Sequence, residues 1–190
     1  MDGGEKMDKS LSMKERLILA NQYEILSRLA TDEDERKHFE NIRDIFESGF
    51  SKYYSYATEP FSEEVSQDEC EFVVDVLDLY RNLYYSWLRN PQAHEEIDEE
   101  KVLFKGFDLN DNQEIKYLVF YEFLVEKLER YSEIKDLMNA GKIESFTSYG
   151  FGPSMSTLNR MIEKYKEIKK RQGFRVGIDL TLDEIKEILE

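Results

Sequence analysis

Residues 67–90, QDECEFVVDVLDLYRNLYYSWLRN, are the most informative stretch of this 190-residue sequence. Their polar side chains recur every three or four positions and therefore fall on one thin line of a helix: Glu71, Asp75, Asp78, Asn82, Ser86 and Arg89. Nearly all the other positions are aliphatic or aromatic. Because a helix that is apolar around most of its circumference must be surrounded by other elements, we predict that it is the central helix of the fold.

The rest of the chain carries the signals of further helices. Ser12 with Glu15, and Thr181 with Glu184, have the spacing of capping boxes that begin helices. The chain contains only 3 Pro and 9 Gly, too few turn residues for a many-stranded β-protein. We therefore predict an all-α bundle of about six helices, with room for one short extended pair that includes the edge-strand candidate KVLFKGFD (101–108).

The first two predicted helices form an antiparallel hairpin. The apolar side of the first consists of Leu19, Tyr23, Leu26 and Ala30, with Ile18, Ile25 and Leu29 beside it. The stripe of the second consists of Phe39, Ile42 and Phe46, and Gly49 ends that helix. Residues 50–66 break the helical pattern, so we expect an extended connection that includes SKYYSYA (51–57).

Beyond the central helix we expect an acidic loop around His94 and then a helix over 112–131, capped by Asn110 or Asp111. Pro153 is expected in the first turn of the next helix. No internal repeat or linker interrupts the chain. We therefore predict a single domain over residues 12–190, preceded by a flexible arm over residues 1–11.

Charge and cysteine content restrict the possible partners and location. The chain carries 41 Asp and Glu against 26 Lys and Arg, a net charge of −15, which disfavours nucleic acid and anionic membrane surfaces as partners. The lone Cys70 cannot form an intramolecular disulfide, and no stretch has the length and apolarity of a signal or membrane-spanning segment. We expect a cytoplasmic protein without a membrane partner.

Three stretches carry a family resemblance: RLILANQYEIL (16–26), FVVDVLDLYRNLYYSW (72–87) and VLFKGFDLNDNQEIKYLVFYEFLVE (102–126). Their motifs follow one another along the chain: R-L-I-L-x-N-Q-Y, then an aliphatic and aromatic helix that ends near Ser-Trp, then the turn F-x-G-F-D. On these motifs the chain resembles the YfbU family from roughly residue 13 to residue 190. The resemblance implies a small helical bacterial cytosolic protein, and it carries over no catalytic residues.

Candidate catalytic and metal-binding groups are few. Glu35 and His38 form an E-x-x-H pair of the kind that di-iron bundles use, but His94 lacks the second pair, so a symmetrical di-iron site is excluded. Two rows of carboxylates would bind a cation if they faced each other and would otherwise be solvated helix edges: Asp75 with Asp78, and Glu122 with Glu126 and Glu129. Cys70 has no neighbouring base and is expected to pack. We assign no catalytic, cofactor-binding or metal-binding residue, and we expect no cofactor.

The charge of −15 is not evenly distributed. Residues 160–175 contain seven basic residues and two glutamates, a net of +5, which leaves −20 for the rest of the chain. The basic residues either complement the dipole of their own helix or bind an acidic surface of another copy. The tyrosines of SKYYSYA are suited to either a core or an interface. Our candidate interface residues are Tyr53, Tyr54, Tyr56, Arg160, Lys164, Lys169, Lys170 and Arg171.

The favoured function is a non-enzymatic helical domain that self-associates, as a dimer or larger homo-oligomer, or binds another protein. Two alternatives stay open. One is a nucleic-acid-associated regulator that uses residues 160–175, although the net charge makes nucleic acid an unfavoured partner. The other is a carboxylate-dependent metal-binding protein or enzyme that uses the two acidic rows.

Overall fold

A computed structural model describes residues 10–173 and 179–190 of the chain. The described residues fold into helices and connecting turns, so the all-α prediction is confirmed. The α-helices are α1 (Met13–Leu29), α2 (Glu33–Ser48), α3 (Gln67–Arg89), α4 (Pro91–Glu96), α5 (Ile115–Glu122), α6 (Ser132–Asn139), α7 (Met155–Arg171) and α8 (Leu182–Leu189). Two 3₁₀ helices, Ser51–Ala57 and Glu99–Val102, and a π-helical turn, Phe123–Lys127, complete the set.

The chain divides into two compact units, Met1–Glu63 and Glu64–Glu190, called here the N-terminal and the C-terminal unit. The single domain expected over residues 12–190 stays a prediction. Of the arm expected over residues 1–11, only Ser10 and Leu11 lie within the described residues.

The N-terminal unit is built on the predicted antiparallel hairpin. The capping box of Ser12 and Glu15 begins α1, and Gly49, in the left-handed conformation with φ 72°, ends α2 as expected. An ion pair of 2.6 Å between Glu24 and Arg43 links the two helices. Phe46 of α2 is buried against Tyr23 of α1, with ring centroids 5.8 Å apart.

Two local features of the N-terminal unit differ from expectation. Residues 51–57 form a 3₁₀ helix rather than an extended connection, and this helix brings Tyr54 onto Phe46 at a centroid distance of 5.3 Å. The buried side of α1 is centred on Ala20 and Ser27, while Leu26 is 40% exposed. The apolar side expected from the sequence is therefore rotated relative to the side that contacts α2.

The central position of α3 in the C-terminal unit matches the prediction. Val73, Val76, Leu79 and Leu83 have no exposed surface, and they belong to one large core that also draws on α5, α6, α7 and α8. The capping box expected at Thr181 begins α8. The core of this unit is thus assembled around a helix that is covered on nearly all sides.

Several boundaries in the C-terminal unit differ from those expected. The segment around His94 is the short helix α4, which begins immediately after Asn90. Helix α5 begins at Ile115, because Asp108 and Asp111 instead accept hydrogen bonds from backbone N–H groups in the preceding turns. Helix α7 is capped by the Ser154 hydroxyl, so the expected first-turn position of Pro153 is wrong by two residues.

The short extended pair is reduced to one parallel bridge between Phe107 and Thr147. Gly106, next to that bridge, has φ 97°, and a Cβ atom there would lie 1.9 Å from the carbonyl oxygen of Phe146. Only glycine combines this conformation with such a close approach of two backbone segments. The bridge joins the turn before α5 to the segment before α7.

Candidate functional site

The outer face of α1 is an apolar surface that no described element of the N-terminal unit covers. Ile18 and Ile25 are each 57% exposed and Leu29 is 71% exposed. At about 3.6 residues per turn, these three side chains fall within about 40° of one another around the helix axis. Met13 and Leu17 are also exposed, but on the same geometry they lie about 140° and 100° from Ile18 around the helix axis. We call Ile18, Ile25 and Leu29 the α1 outer face.

A groove of about 570 Å³ adjoins the α1 outer face within the same unit. The α1 side of the groove is formed by Leu19, Gln22, Tyr23 and Leu26, and the opposite side by residues of the 3₁₀ helix and the turn after it. Phe61, which is 76% exposed, lies on its edge. Gln22 and Leu26 of the groove lie about 40° and 80° from Ile18 around the helix axis, so the groove begins beside the outer face.

The three candidate tyrosines have different environments. Tyr54 lines the groove and is half-buried against Phe46. Tyr53 and Tyr56 are 41% and 46% exposed, and their rings contact each other edge to face at 5.4 Å. Two of the three therefore present aromatic surface of the 3₁₀ helix to solvent.

The candidate basic residues of α7 contact mainly helices of their own unit. The Lys164 ammonium donates to the carbonyl of Glu187 at 2.7 Å, and Arg171 forms an ion pair of 2.8 Å with the carboxylate of the same residue. Lys169 donates to the Asn82 side chain, and burial lowers the pKa of this lysine. Arg160 and Lys170 are exposed and form no ion pair with a described residue. Arg175 lies outside the described residues.

Most members of the polar line of α3 make polar contacts with other elements, although Glu71, Asp78 and Arg89 are exposed. Asp75 forms an ion pair of 2.5 Å with Lys166, and Asp78 accepts a hydrogen bond of 2.9 Å from the Tyr131 hydroxyl. Further along, Ser86 accepts from the backbone N–H of Leu180. These contacts align α3 with α7, with the turn before α6 and with the turn before α8.

The second acidic row does not complete a metal site with the first. Glu126 forms an ion pair of 3.2 Å with Lys135, and Glu122 and Glu129 are exposed. Within residues 10–173 and 179–190, no three His, Cys, Asp or Glu side chains are grouped closely enough to hold a metal ion. His38 is exposed beside Phe39, and the sulfur of Cys70 contacts the Val65 carbonyl.

The α1 outer face is absent from the interface residues chosen from the sequence. Ile18, Ile25 and Leu29 are visible in the sequence as apolar positions beside the expected core stripe. The signal that could have found the face is an excess of apolar residues over what one buried stripe requires. Which of these apolar residues are exposed depends on how α1 is rotated against α2.

Comparison with known proteins gives consistent matches over nearly the whole chain. The YfbU domain family matches residues 9–190. UPF0304 protein MJECS11 of Methanocaldococcus jannaschii is 32% identical over 180 residues, which cover 94% of this chain and 98% of that protein. Among the described residues, no helix is long and apolar enough to cross a membrane. The extent of these matches shows that the chain belongs to the YfbU family.

Proposed function

We propose that this protein is a self-associating helical protein, and that two copies pack through their α1 outer faces. The observation that carries the proposal is the exposure of Ile18, Ile25 and Leu29 on one side of a helix. Burying a large aliphatic side chain is favourable by about 1.5–3 kcal/mol. A row of such side chains left in water is therefore a strong driving force for association.

The small core of the N-terminal unit supports the same proposal. Its fully buried apolar side chains are those of Ala20, Ile42 and Phe46. A hairpin with so small a core is marginal alone, because small units bury too little apolar surface to offset the conformational entropy of folding. Pairing two hairpins through α1 would cover the outer face of each and add a second apolar contact to the small core of each hairpin.

Symmetry favours a second copy of the chain as the partner, because a row of aliphatic side chains can pack against the same row of another copy across a two-fold axis. Helix α1 carries three basic residues and two glutamates, whereas α2 carries six carboxylates and three basic residues. The outer face lies about 180° from Ala20 and Ser27, which pack toward α2, so the acidic α2 of each copy would stay on the far side of its own α1 and would not repel the other copy at the contact. From Ile18 to Leu29 the face runs for about 17 Å along the helix axis.

The test is sedimentation velocity of the full chain from low to high micromolar concentration. We expect a reversible dimer whose dissociation constant rises at least tenfold in the double variant Ile18→Glu/Ile25→Glu, because carboxylates would have to be buried at the contact. The matched control is Val119→Glu/Leu128→Glu in the C-terminal unit, where the original side chains are 59% and 51% exposed. The control should dimerise like the unchanged protein.

Two results would contradict the proposal. One is a chain that sediments as a monomer over the whole concentration range. The other is a dimer that the control variant weakens as much as the α1 variant does, since association would then use another surface. Circular dichroism of each variant establishes that the helices are retained.

The nucleic-acid alternative has less support. Lys164, Lys166 and Arg171 are occupied by acceptors on α3 and α8, so only part of the positive charge of α7, including Arg160 and Lys170, is presented without an ion pair. Nucleic-acid binding depends on such charges because it is driven by neutralising phosphates. Self-association through an apolar surface requires no net positive charge, which suits a chain of net charge −15.

A further inference from the structure

The groove of the N-terminal unit has two chemically different sides. Its volume of about 570 Å³ lies within the roughly 300–1,000 Å³ of small-molecule sites. The residues that α1, α2 and the segment before α1 contribute are mainly apolar: Leu11, Leu19, Gln22, Tyr23, Leu26 and Phe46. The 3₁₀ helix contributes most of the polar residues on the other side.

The 3₁₀ helix, Ser51–Ala57, arranges its side chains in three rows, because it has three residues per turn and residues i and i+3 are eclipsed. One row includes Tyr54 and Ala57, which border the groove and pack against the small core of the hairpin. A second row consists of Tyr53 and Tyr56, which are exposed and do not line the groove. The remaining row is the polar one.

This polar row consists of Lys52, Ser55 and Thr58, and all three residues line the groove. At a rise of about 2.0 Å per residue, neighbours in the row are about 6 Å apart along the axis, a distance that a lysine side chain can span. The Lys52 ammonium lies 5.8 Å from the centre of the Tyr53 ring and forms no ion pair with a described residue. The Ser55 hydroxyl likewise makes no hydrogen bond within the described part of the chain. One ligand group can therefore accept from both.

The charge of the groove is positive although the protein is acidic. Among the described residues that line it, Lys52 is the one that carries a charge. The carboxylates before and after the 3₁₀ helix, Glu47 and Glu59, are not part of the lining, and Glu24 of α1 is paired with Arg43. A single ammonium beside an apolar surface favours an anionic group over a cationic one, and one negative charge over several.

We propose that this groove binds an amphipathic monoanion, a molecule with one anionic group at the end of an apolar chain. The anionic group would accept hydrogen bonds from the Lys52 ammonium and the Ser55 hydroxyl, and the chain would lie against Leu19 and Leu26 of α1. The chain would also cover Phe61, which is 76% exposed at the edge of the groove. The proposal does not rest on self-association, because the lining contains no residue of the α1 outer face.

The test is equilibrium dialysis of the full chain with decanoate below its micellar concentration, alongside 1-decanol as a neutral probe of equal chain length. We expect saturable binding of one decanoate per chain. Lys52→Gln should weaken decanoate binding by about three- to tenfold. It should leave 1-decanol binding unchanged, because the alcohol has no charge to pair with the lysine.

Two further variants separate the apolar and the charged contributions. Leu26→Ala should weaken the binding of both probes by about threefold or more, because both present the same chain to the apolar side of the groove. Lys37→Gln is the matched control: it removes an exposed lysine of α2 that does not line the groove, and it should leave the binding of both probes unchanged.

Three outcomes would overturn the proposal: no saturable binding of decanoate, decanoate binding that Lys52→Gln leaves unchanged, or an equal loss for the two probes in that variant. Melting temperatures close to that of the unchanged protein establish that the variants fold. Sedimentation velocity of Lys52→Gln separates the two proposals, since this variant should associate like the unchanged protein. A Lys52→Gln variant that loses both decanoate binding and association would assign the groove to the contact between copies and would overturn its role as a ligand site.

Discussion

Helices α1 and α3 both carry more apolar residues than one buried stripe requires, but only α3 is covered on nearly all of its apolar sides. In α3, Leu79 and Leu83 have no exposed surface, while in α1 Ile25 and Leu29 are 57% and 71% exposed. The same sequence signal therefore has two outcomes in one chain. Apolar residues all round a helix indicate that it needs neighbours, and the neighbours can be other helices of the same chain or a second molecule.

The two units also differ in how deeply their ion pairs are buried. In the C-terminal unit, Glu133 is buried and forms a bidentate ion pair with Arg81, whose guanidinium also lies over the Tyr131 ring at 4.4 Å. In the N-terminal unit, the ion pair of Arg28 and Glu24 is largely exposed. Buried polar contacts specify how helices pack, whereas exposed pairs contribute little. The C-terminal unit is thus the more fully specified of the two.

The largest expected difference between the units is in the free energy lost when a glycine with positive φ is replaced by alanine. Gly106→Ala should lower the free energy of unfolding of the C-terminal unit by about 3–4 kcal/mol, because the new Cβ meets the backbone carbonyl of Phe146 and φ is positive. Gly49→Ala should cost about 1 kcal/mol, since its Cβ would meet only the flexible end of Arg16. Urea unfolding followed by Trp87 fluorescence and by circular dichroism measures both.

Equal losses of unfolding free energy for Gly106→Ala and Gly49→Ala would contradict the inference that Gly106 alone of the two packs against another backbone segment. Gly141→Ala is a further control in the C-terminal unit. Gly141 has φ 71°, and a Cβ there would meet no atom within 4 Å. Its loss should resemble that of Gly49→Ala.

A smaller difference is expected between the two ion pairs. Arg81→Met should destabilise the C-terminal unit by about 2 kcal/mol, because it leaves the carboxylate of Glu133, 11% exposed, without its partner. Arg28→Met in the hairpin should change stability by less than about 0.5 kcal/mol. Urea titration of each variant at low protein concentration makes the comparison. A loss for Arg28→Met as large as that for Arg81→Met would refute it.

The smallest expected effect is on how the melting temperature falls as the pH is lowered. The ammonium of Lys116 and hydrogen bonds from Ser66 hold the pKa of Glu69 at about 2, below the roughly 4.3 of an unfolded glutamate. Because the folded pKa is the lower one, Glu69 stabilises the fold above pH ~4.3 and this contribution disappears as the pH falls toward about 2. Glu69→Gln should therefore show a flatter fall in melting temperature over that range.

The control for the acid experiment is Glu71→Gln, on the same helix. Glu71 is exposed and forms no ion pair with a described residue. Its acid profile should follow that of the unchanged protein, and a Glu69→Gln profile that does the same would refute the assignment.

Features of the fold that depend on nearby residues were predictable from the sequence. The capping boxes at Ser12 and Thr181, the end of α2 at Gly49 and the central position of α3 are confirmed. In each case a few neighbouring residues determine the geometry. Residues 51–57 were predicted wrongly, because the contact of Tyr54 with Phe46 outweighs the strand preference of the aromatic run.

Features that depend on distant residues were not predictable. The basic residues of α7 suggested an intermolecular surface, yet Lys166 and Arg171 pair with Asp75 and Glu187 of the same chain. Likewise, the rotation of α1 against α2 decides which apolar residues are exposed. Neither the ion pairs of α7 nor the rotation of α1 follows from the sequence of one helix, because both depend on which helix packs beside it.

Hydrogen exchange of the full chain, measured by mass spectrometry over a range of protein concentrations, tests the central contrast most directly. We expect the backbone amides of α1, Met13–Leu29, to become better protected as concentration rises through the dimer dissociation constant, because exchange then requires dissociation as well as opening. Amides of α3, Gln67–Arg89, should exchange at the same rate throughout. Protection of α1 that does not change with concentration would contradict the account.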